Sequence, residues 1–268
     1  MSIAQRILNE VFPFLAFKKD LMFSKKIIIV IKILFNLWIM LWIFVYFVPP
    51  LFFKHEIVYK NVHLYTNKTS NLAAYKTILK STRGHIASNS LFDSSKQIEI
   101  LYIDTEWLYK LLNPLDLVIA PSYASTYGNH VVIHELNPDE GYAFRFPQDS
   151  HKELIEAIIA HESTHVMQYS KYGYVSMLLI PEWIVEGYAE LAEEGKSIRF
   201  TKSNFIKILQ KDIKALHISD KYILWGFMVK HAIEKMHISV DDLHLGKVSY
   251  DEVYESLLKE YNITQSKQ

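Results

Sequence analysis

The 268-residue chain contains no cysteine. This excludes a disulfide framework, a thiolate nucleophile and any metal site built on cysteine, so a metal ion has to sit on histidine and carboxylate side chains. Net charge is missing as well, because 29 basic residues balance 29 acidic ones. A nucleic-acid partner calls for a basic excess on one face, and the chain as a whole offers none. There is no internal repeat and no low-complexity segment. Half of the residues are hydrophobic and 22% are charged, which excludes disorder for most of the length and leaves room for one or two domains with a sizeable core.

The charge balance is a sum of two opposed parts. Residues 1–53 carry Arg6, Lys18, Lys19, Lys25, Lys26 and Lys32 against Glu10 and Asp20, a net of +4, and the remaining 215 residues carry a net of −4. Ile33 to Phe53 is a run of 21 residues in which Asn36 is the only strongly polar side chain, and the apolar run Ile27 to Ile31 precedes it. About 20 apolar residues at about 1.5 Å each cross a bilayer core, so residues 27–53 read as one transmembrane helix. A buried soluble helix is the first rival, but apolar residues surround the whole circumference here rather than one face. A removed signal peptide is the second, but the stretch before the run is long and no small-x-small cleavage site follows it. An uncleaved signal anchor is the expectation. Its basic flank places residues 1–26 in the cytoplasm and residues 54–268 outside it, as a single-pass protein of the cell membrane.

Beyond the anchor, strands come first and helices second. Strands are expected at Ile57–Tyr65, Gln97–Ile103, Leu115–Ala120, His130–His134 and Tyr142–Phe146, with a helix over Asn71–Lys80 that ends near Gly84. Ser150-His151-Lys152-Glu153 has the form of a capping box and predicts a helix running to about Ser170. Pro181 fits the first position of a helix closed by Gly195, Ser203–His217 reads as helical, Ser219 can cap a helix through Met236, and Ser249 one through about Tyr261. This order predicts an α+β domain.

Two of these helices carry the chemistry. His161-Glu162-Ser163-Thr164-His165 is an HExxH pattern, which a chain of this composition would contain by chance only about 0.04 times. With 3.6 residues per turn, His161 and His165 project from one helix face and can converge on one ion, while Glu162 can reach a water beside it. A catalytic zinc site needs a third protein ligand from a downstream His, Glu or Asp, and the next helix supplies Trp183-Ile184-Val185-Glu186-Gly187-Tyr188-Ala189-Glu190. Twenty residues lie between His165 and Glu186, enough to end one helix and return antiparallel. Gly187 is costly inside a helix, which suggests that the second helix approaches the first closely there. Glu190, one turn beyond Glu186, can accept the free imidazole N–H of a ligand histidine, or belong with Glu193 and Glu194 to a solvated acidic face.

HESTH followed about twenty residues later by PEWIVEGYAE resembles the gluzincin metallopeptidases, and in particular the bacterial peptidase MA-like group with its HExxH and W-x-x-E-G-x-A-E elements. The resemblance covers roughly residues 95–260. It implies a zincin-like domain, with a twisted sheet on the active-site helix and a helical C-terminal half, that uses zinc to hydrolyse peptide bonds in a peptide or protein substrate. His161, His165 and Glu186 then hold the metal, and Glu162 is the general base. Related enzymes stabilise the oxyanion with a Tyr or His from the C-terminal half, and Tyr222 and His231 fit that order, although helix packing would also explain both. Prenyl-protein-type membrane zinc peptidases share HExxH but carry several spans and a different Glu motif. An endopeptidase is the first expectation, with an aminopeptidase left open as the alternative; no exopeptidase motif precedes His161.

Four weaker expectations complete the reading. Val131–His134 or Tyr142–Phe146 could form the sheet edge that takes up substrate as an added strand. His130 and His134 share a strand face and could form a second metal site, or be structural. Val175–Ile180 is too short to span a bilayer and is expected to pack in the core, although it could line a pocket mouth or touch a membrane surface. A catalytically inactive zincin-fold binding or sensory module is the alternative function, and the intact Glu162 argues against it. Oligomeric state is not encoded legibly.

Overall fold

The computed structural model describes residues 25–48, 51–68, 72–112, 122–124, 130–134, 140–144, 152–193, 201–209 and 216–261. The chain divides into two units, residues 1–47 and 48–268. In the first unit, Lys25–Phe47 forms a 23-residue helix, α1. At about 1.5 Å per residue it is about 34 Å long. Its apolar side chains, Ile29, Leu34, Phe35, Leu37, Met40 and Phe47 among them, are exposed. Among the described residues no helix is long and apolar enough to cross a membrane. The side chains at positions 25–28, 42, 45 and 46 of α1 lie outside that set, so the anchor belongs with the proposals below.

The second unit is α+β. Strands β1 (His55–Tyr59) and β2 (Val62–Thr66) form an antiparallel hairpin, where the sequence suggested one strand. Lys60 takes φ +55° at the turn, a conformation usually announced by glycine or asparagine, so the reversal has no strong signal in the sequence. Helix α2 (Leu72–Ile86) continues through Gly84 rather than ending near it. Strands β3 (Ile98–Ile103) and, after helix α3 (Glu106–Leu112), β4 (Ser122–Ala124) and β5 (His130–His134) complete a five-stranded sheet in the order β1-β2-β3-β5-β4. Its central pairs, β2 with β3 and β3 with β5, are parallel. The strand expected at Leu115–Ala120 lies outside the described residues.

A second, two-stranded sheet joins β6 (Tyr142–Phe144) to β7 (Lys152–Leu154). The expected capping box therefore does not open the next helix, because Lys152 and Glu153 are in a strand. Helix α4 (Ile155–Tyr172) starts directly from β7 with Leu154 in extended conformation and no side-chain cap. The Ile155 N–H is satisfied instead by the Gly141 carbonyl at 3.1 Å. Gly173 ends α4 at φ +79°, and α5 (Tyr174–Met177) and α6 (Glu182–Glu190) follow. Pro181 is the residue before α6 rather than its first position, and a short 3₁₀ turn, Leu191–Glu193, extends it.

Helices α7 (Lys202–Leu209), α8 (Ile218–Glu234), α9 (Val240–His244) and α10 (Tyr250–Glu260) finish the unit. His217, not Ser219, caps α8, accepting the Ser219 N–H on its ring. Ser249 caps α10 as expected, in a full capping box with Glu252.

The core forms where the sheet meets α4. Ile100, Tyr102, Val131 and Ile133 pack with Ile155, Ile158 and Ile159 and with Tyr75, Leu79 and Ile86 of α2. This burial fixes the rotation of α4 and turns an adjacent side, which carries His161 and His165, toward α6. Gly187 does permit a close approach, but to α8 rather than α4. A Cβ there would lie 2.5 Å from the Trp225 carbonyl oxygen and 2.9 Å from Val229 Cγ2. Alanine gains about 1 kcal/mol over glycine in a helix, whereas overpacking against backbone typically costs 1–3 kcal/mol, so the overlap wins. Gly187→Ala is expected to lower stability by about 1–2 kcal/mol in urea or thermal unfolding; an unchanged or raised midpoint would contradict the crossing.

Candidate metal centre

Helix α4 brings His161 and His165 to one buried face, with their Nε2 atoms 3.1 Å apart. The rings meet edge to face at 82°. From α6, Glu186 Oε2 reaches within 3.3 Å of His161 Nε2 and 3.4 Å of His165 Nε2. A tetrahedral ion with bonds of about 2.0–2.1 Å needs its ligand atoms about 3.3–3.4 Å apart. The two sides to Glu186, at 3.3 and 3.4 Å, meet that requirement and the histidine pair at 3.1 Å has to open by a few tenths of an ångström, so the three side chains form a group able to hold one metal ion.

The electrostatics of the centre fit a cation. Burial alone would favour a neutral His165, but the Glu186 carboxylate, with help from Glu162 and Gln168, raises its pKa to about 9. Burial likewise works against the charged form of Glu186, yet His165 and His161 hold its carboxyl well below the usual carboxylate range. In the metal-free chain a proton on His165 thus occupies the place of positive charge.

Around this triangle the other expected residues divide. Glu190 is buried, 1% exposed, which excludes the solvated-face reading. Its Oε1 lies 3.7 Å from His161 Nδ1, on the ring atom opposite the one facing Glu186. Glu162 follows His161 on α4 and is partly exposed, with its charge felt at His165. The Tyr222 ring from α8 stacks on His161 at 6.3 Å and 11°, which puts Tyr222 on the wall of the centre.

His231 is elsewhere. Its Nδ1 pairs with Glu260 at 2.7 Å and its Nε2 with Ser256 Oγ at 2.9 Å, so helix packing accounts for it. The Ser–His–Glu connection has the order of a hydrolase triad, but Ser256 is inside α10, where backbone N–H groups are spent on the helix and cannot serve an oxyanion. His130 and His134 do not form a second metal site. Four residues of strand separate them by about 13 Å, and His130 pairs with Glu99 while His134 bonds the Ile103 carbonyl and stacks on Tyr109.

Strand β5 lies inside the sheet, between β3 and β4, and so cannot receive an added strand. Of the two expected edges, Tyr142–Phe144 pairs on one side with β7 and with no other strand among the described residues, and the remainder of Tyr142–Phe146 lies outside them. The core packing expected of Val175–Ile180 is also corrected: Val175 (71%), Leu178 (66%) and Leu179 (81%) are exposed, and Met177 alone of these turns fully inward.

Two residues at the centre escape the motif-based reading, Gln168 and His244. Gln168 Oε1 lies 3.0 Å from His165 Nδ1, and its Nε2 donates to the Val185 carbonyl and contacts His244 Nε2, both at 3.1 Å. Gln168 sits three residues after His165, so the helical period could have found it. His244, on α9, has no such signal.

No protein-family model, no curated protein and no solved structure matches the chain.

Metal binding should therefore compete with a proton. Because the pKa of His165 lies raised near 9, the ion displaces one proton from it at pH 7, and apparent affinity rises with pH up to about 9. Calorimetric titration with Zn²⁺ in buffers of different ionisation enthalpy should count about one proton released per ion at pH 7; no proton release would contradict this charge state.

Proposed function

We propose that the chain is a membrane-anchored zinc peptidase of the zincin type, with residues 27–53 as its anchor and residues 54–268 as an extracytoplasmic catalytic domain. The observation that carries the reading is the triangle of His161, His165 and Glu186 at ligand spacing, with the charge of Glu162 felt at His165 beside it. A purely structural metal site has no use for such a base. The donor set of two imidazoles, one carboxylate and no thiolate suits Zn²⁺ with an open fourth position. A sheet packed on the motif helix and a helical C-terminal half support the zincin-like fold, and the apolar α1 with its basic flank supports the anchor.

Zinc supplies Lewis acidity toward a peptide carbonyl and toward water. The residues of the chain do the rest. Glu162 takes a proton on its carboxylate as water attacks the carbonyl carbon, and delivers a proton to the departing amine nitrogen. Glu190 holds the proton of His161 on Nδ1 and keeps Nε2 toward the centre. The Tyr222 hydroxyl, carried on a ring stacked against His161, is the donor proposed for the developing oxyanion. Substrate adds as an extended segment to the Tyr142–Phe144 strand, whose partner β7 runs straight into α4.

Glu162→Gln removes the base but no ligand. In detergent extracts of carbonate-washed membranes, the full chain should retain bound zinc in this variant while cleavage of a casein-derived peptide library falls by about 10²–10⁴-fold. Zinc-loaded wild type that cleaves nothing would point to the inactive binding module instead, and release of the chain by the carbonate wash would remove the anchor.

A further inference from the structure

The hydrogen bonds behind His165 have only one consistent direction, and it starts from a backbone carbonyl 75 residues away. His244 Nδ1 lies 2.8 Å from the Val240 carbonyl, which can only accept, so Nδ1 carries the proton. The second nitrogen of a neutral ring is then an acceptor, and it faces Gln168 Nε2 at 3.1 Å. Gln168 Nε2 spends its other proton on the Val185 carbonyl at 3.1 Å. Both amide protons are thus committed. Flipping the amide would set Oε1 against the Val185 carbonyl oxygen and the His244 lone pair, two acceptor–acceptor contacts at a fully buried position. Gln168 therefore presents Oε1 to His165 Nδ1 at 3.0 Å, and an oxygen there requires Nδ1 to be the donor.

We infer that Gln168 and His244 are positioning residues that hold a proton on His165 Nδ1 and so leave Nε2 as the nitrogen that meets the metal; this rests on the metal centre proposed above. The need for such a device comes from Glu186. Its carboxylate, 3.4 Å from His165 Nε2, attracts a proton to the very atom that must be bare to bind an ion. Gln168 fixes the other nitrogen as the donor, so the ring can meet an ion only through Nε2. It also ties α4 to the backbone at Val185, the residue before the carboxylate ligand, so one amide sets the aim of two ligands at once.

His244 is held for this task. Its ring stacks on Tyr172 at 4.3 Å and 15° and meets Tyr188 edge-on at 5.4 Å. Tyr172 in turn donates to Asp241, which also pairs with Lys171, and these contacts clamp α9 onto the end of α4. Burial shifts His244 below its ordinary pKa, favouring the neutral ring that the acceptor role requires.

The test uses the full chain, labelled with ¹⁵N-histidine, in detergent. In metal-free wild type at pH 7, His165 should show an Nδ1–H resonance protected from water exchange, and Gln168→Met should abolish that protection. Zn²⁺ affinity measured against a chelating dye should fall about 10–100-fold in Gln168→Met. It should fall by less in His244→Phe, which keeps the ring packing. The double variant should bind as weakly as Gln168→Met alone, because both act through one contact. An unprotected Nδ1–H in wild type, or protection that survives in Gln168→Met, would overturn the inference whether or not metal binds. Zinc affinities within twofold of wild type in both variants would also overturn it. Failure of wild type to bind zinc would instead sink the metal centre, leaving the N–H measurement to judge the relay by itself.

Discussion

A carboxylate drawn in from water needs a positive charge nearby, and α6 sets Glu186 against two histidines, with the buried Glu190 one turn further on. Everything around the centre answers that demand. The histidines of α4 stand against Glu186, the ring of His161 lies between the two carboxylates, and a proton or an ion completes the charge. A core of the same volume filled with leucine would avoid the cost altogether. Retaining buried acids beside a histidine pair makes sense where a cation is to be held.

The fold serves this arrangement through two contacts. The sheet packs on one side of α4 through Ile155, Ile158 and Ile159, and leaves His161 and His165 on another side facing α6. Helix α6 is then positioned from behind by α8, whose backbone at Trp225 comes so close that only glycine fits at position 187. Helix α8 brings Tyr222 as well, so the same crossing that seats Glu186 also builds a wall of the centre. Positioning of His161, His165 and Glu186 and closure of the site are thus one packing event.

The pairing of His161 with His165 was legible in the sequence, because helical periodicity turns a spacing of four residues into a shared face and because the absence of cysteine narrows the donor types. Glu186 was legible for the same reason, once a second helix could be placed after a loop of suitable length. Interactions closed by tertiary contact were not. Gly187 pointed to a close helix approach, but nothing in the sequence said that its partner would be α8. His231 and Tyr222 lie on one helix and looked alike by order; only the structure separates the wall of the centre from a packing contact with α10. Local signals failed where two elements abut: the capping-box pattern at Ser150–Glu153 was overridden because Lys152 and Glu153 pair with β6, and the β1–β2 reversal was hidden by a lysine in a left-handed turn. The solvent-facing aliphatic residues of Val175–Ile180 followed the same rule in reverse, since hydrophobicity alone does not report burial.

The central claim is that His161, His165 and Glu186 bind one zinc ion together. Zinc K-edge X-ray absorption on the purified full chain tests it most directly. The account predicts one zinc per chain, with two nitrogen neighbours and carboxylate oxygen at about 2.0–2.2 Å, and loss of the bound ion in Glu186→Ala. A full complement of tightly held zinc in Glu186→Ala, with the same two-nitrogen shell, would contradict it.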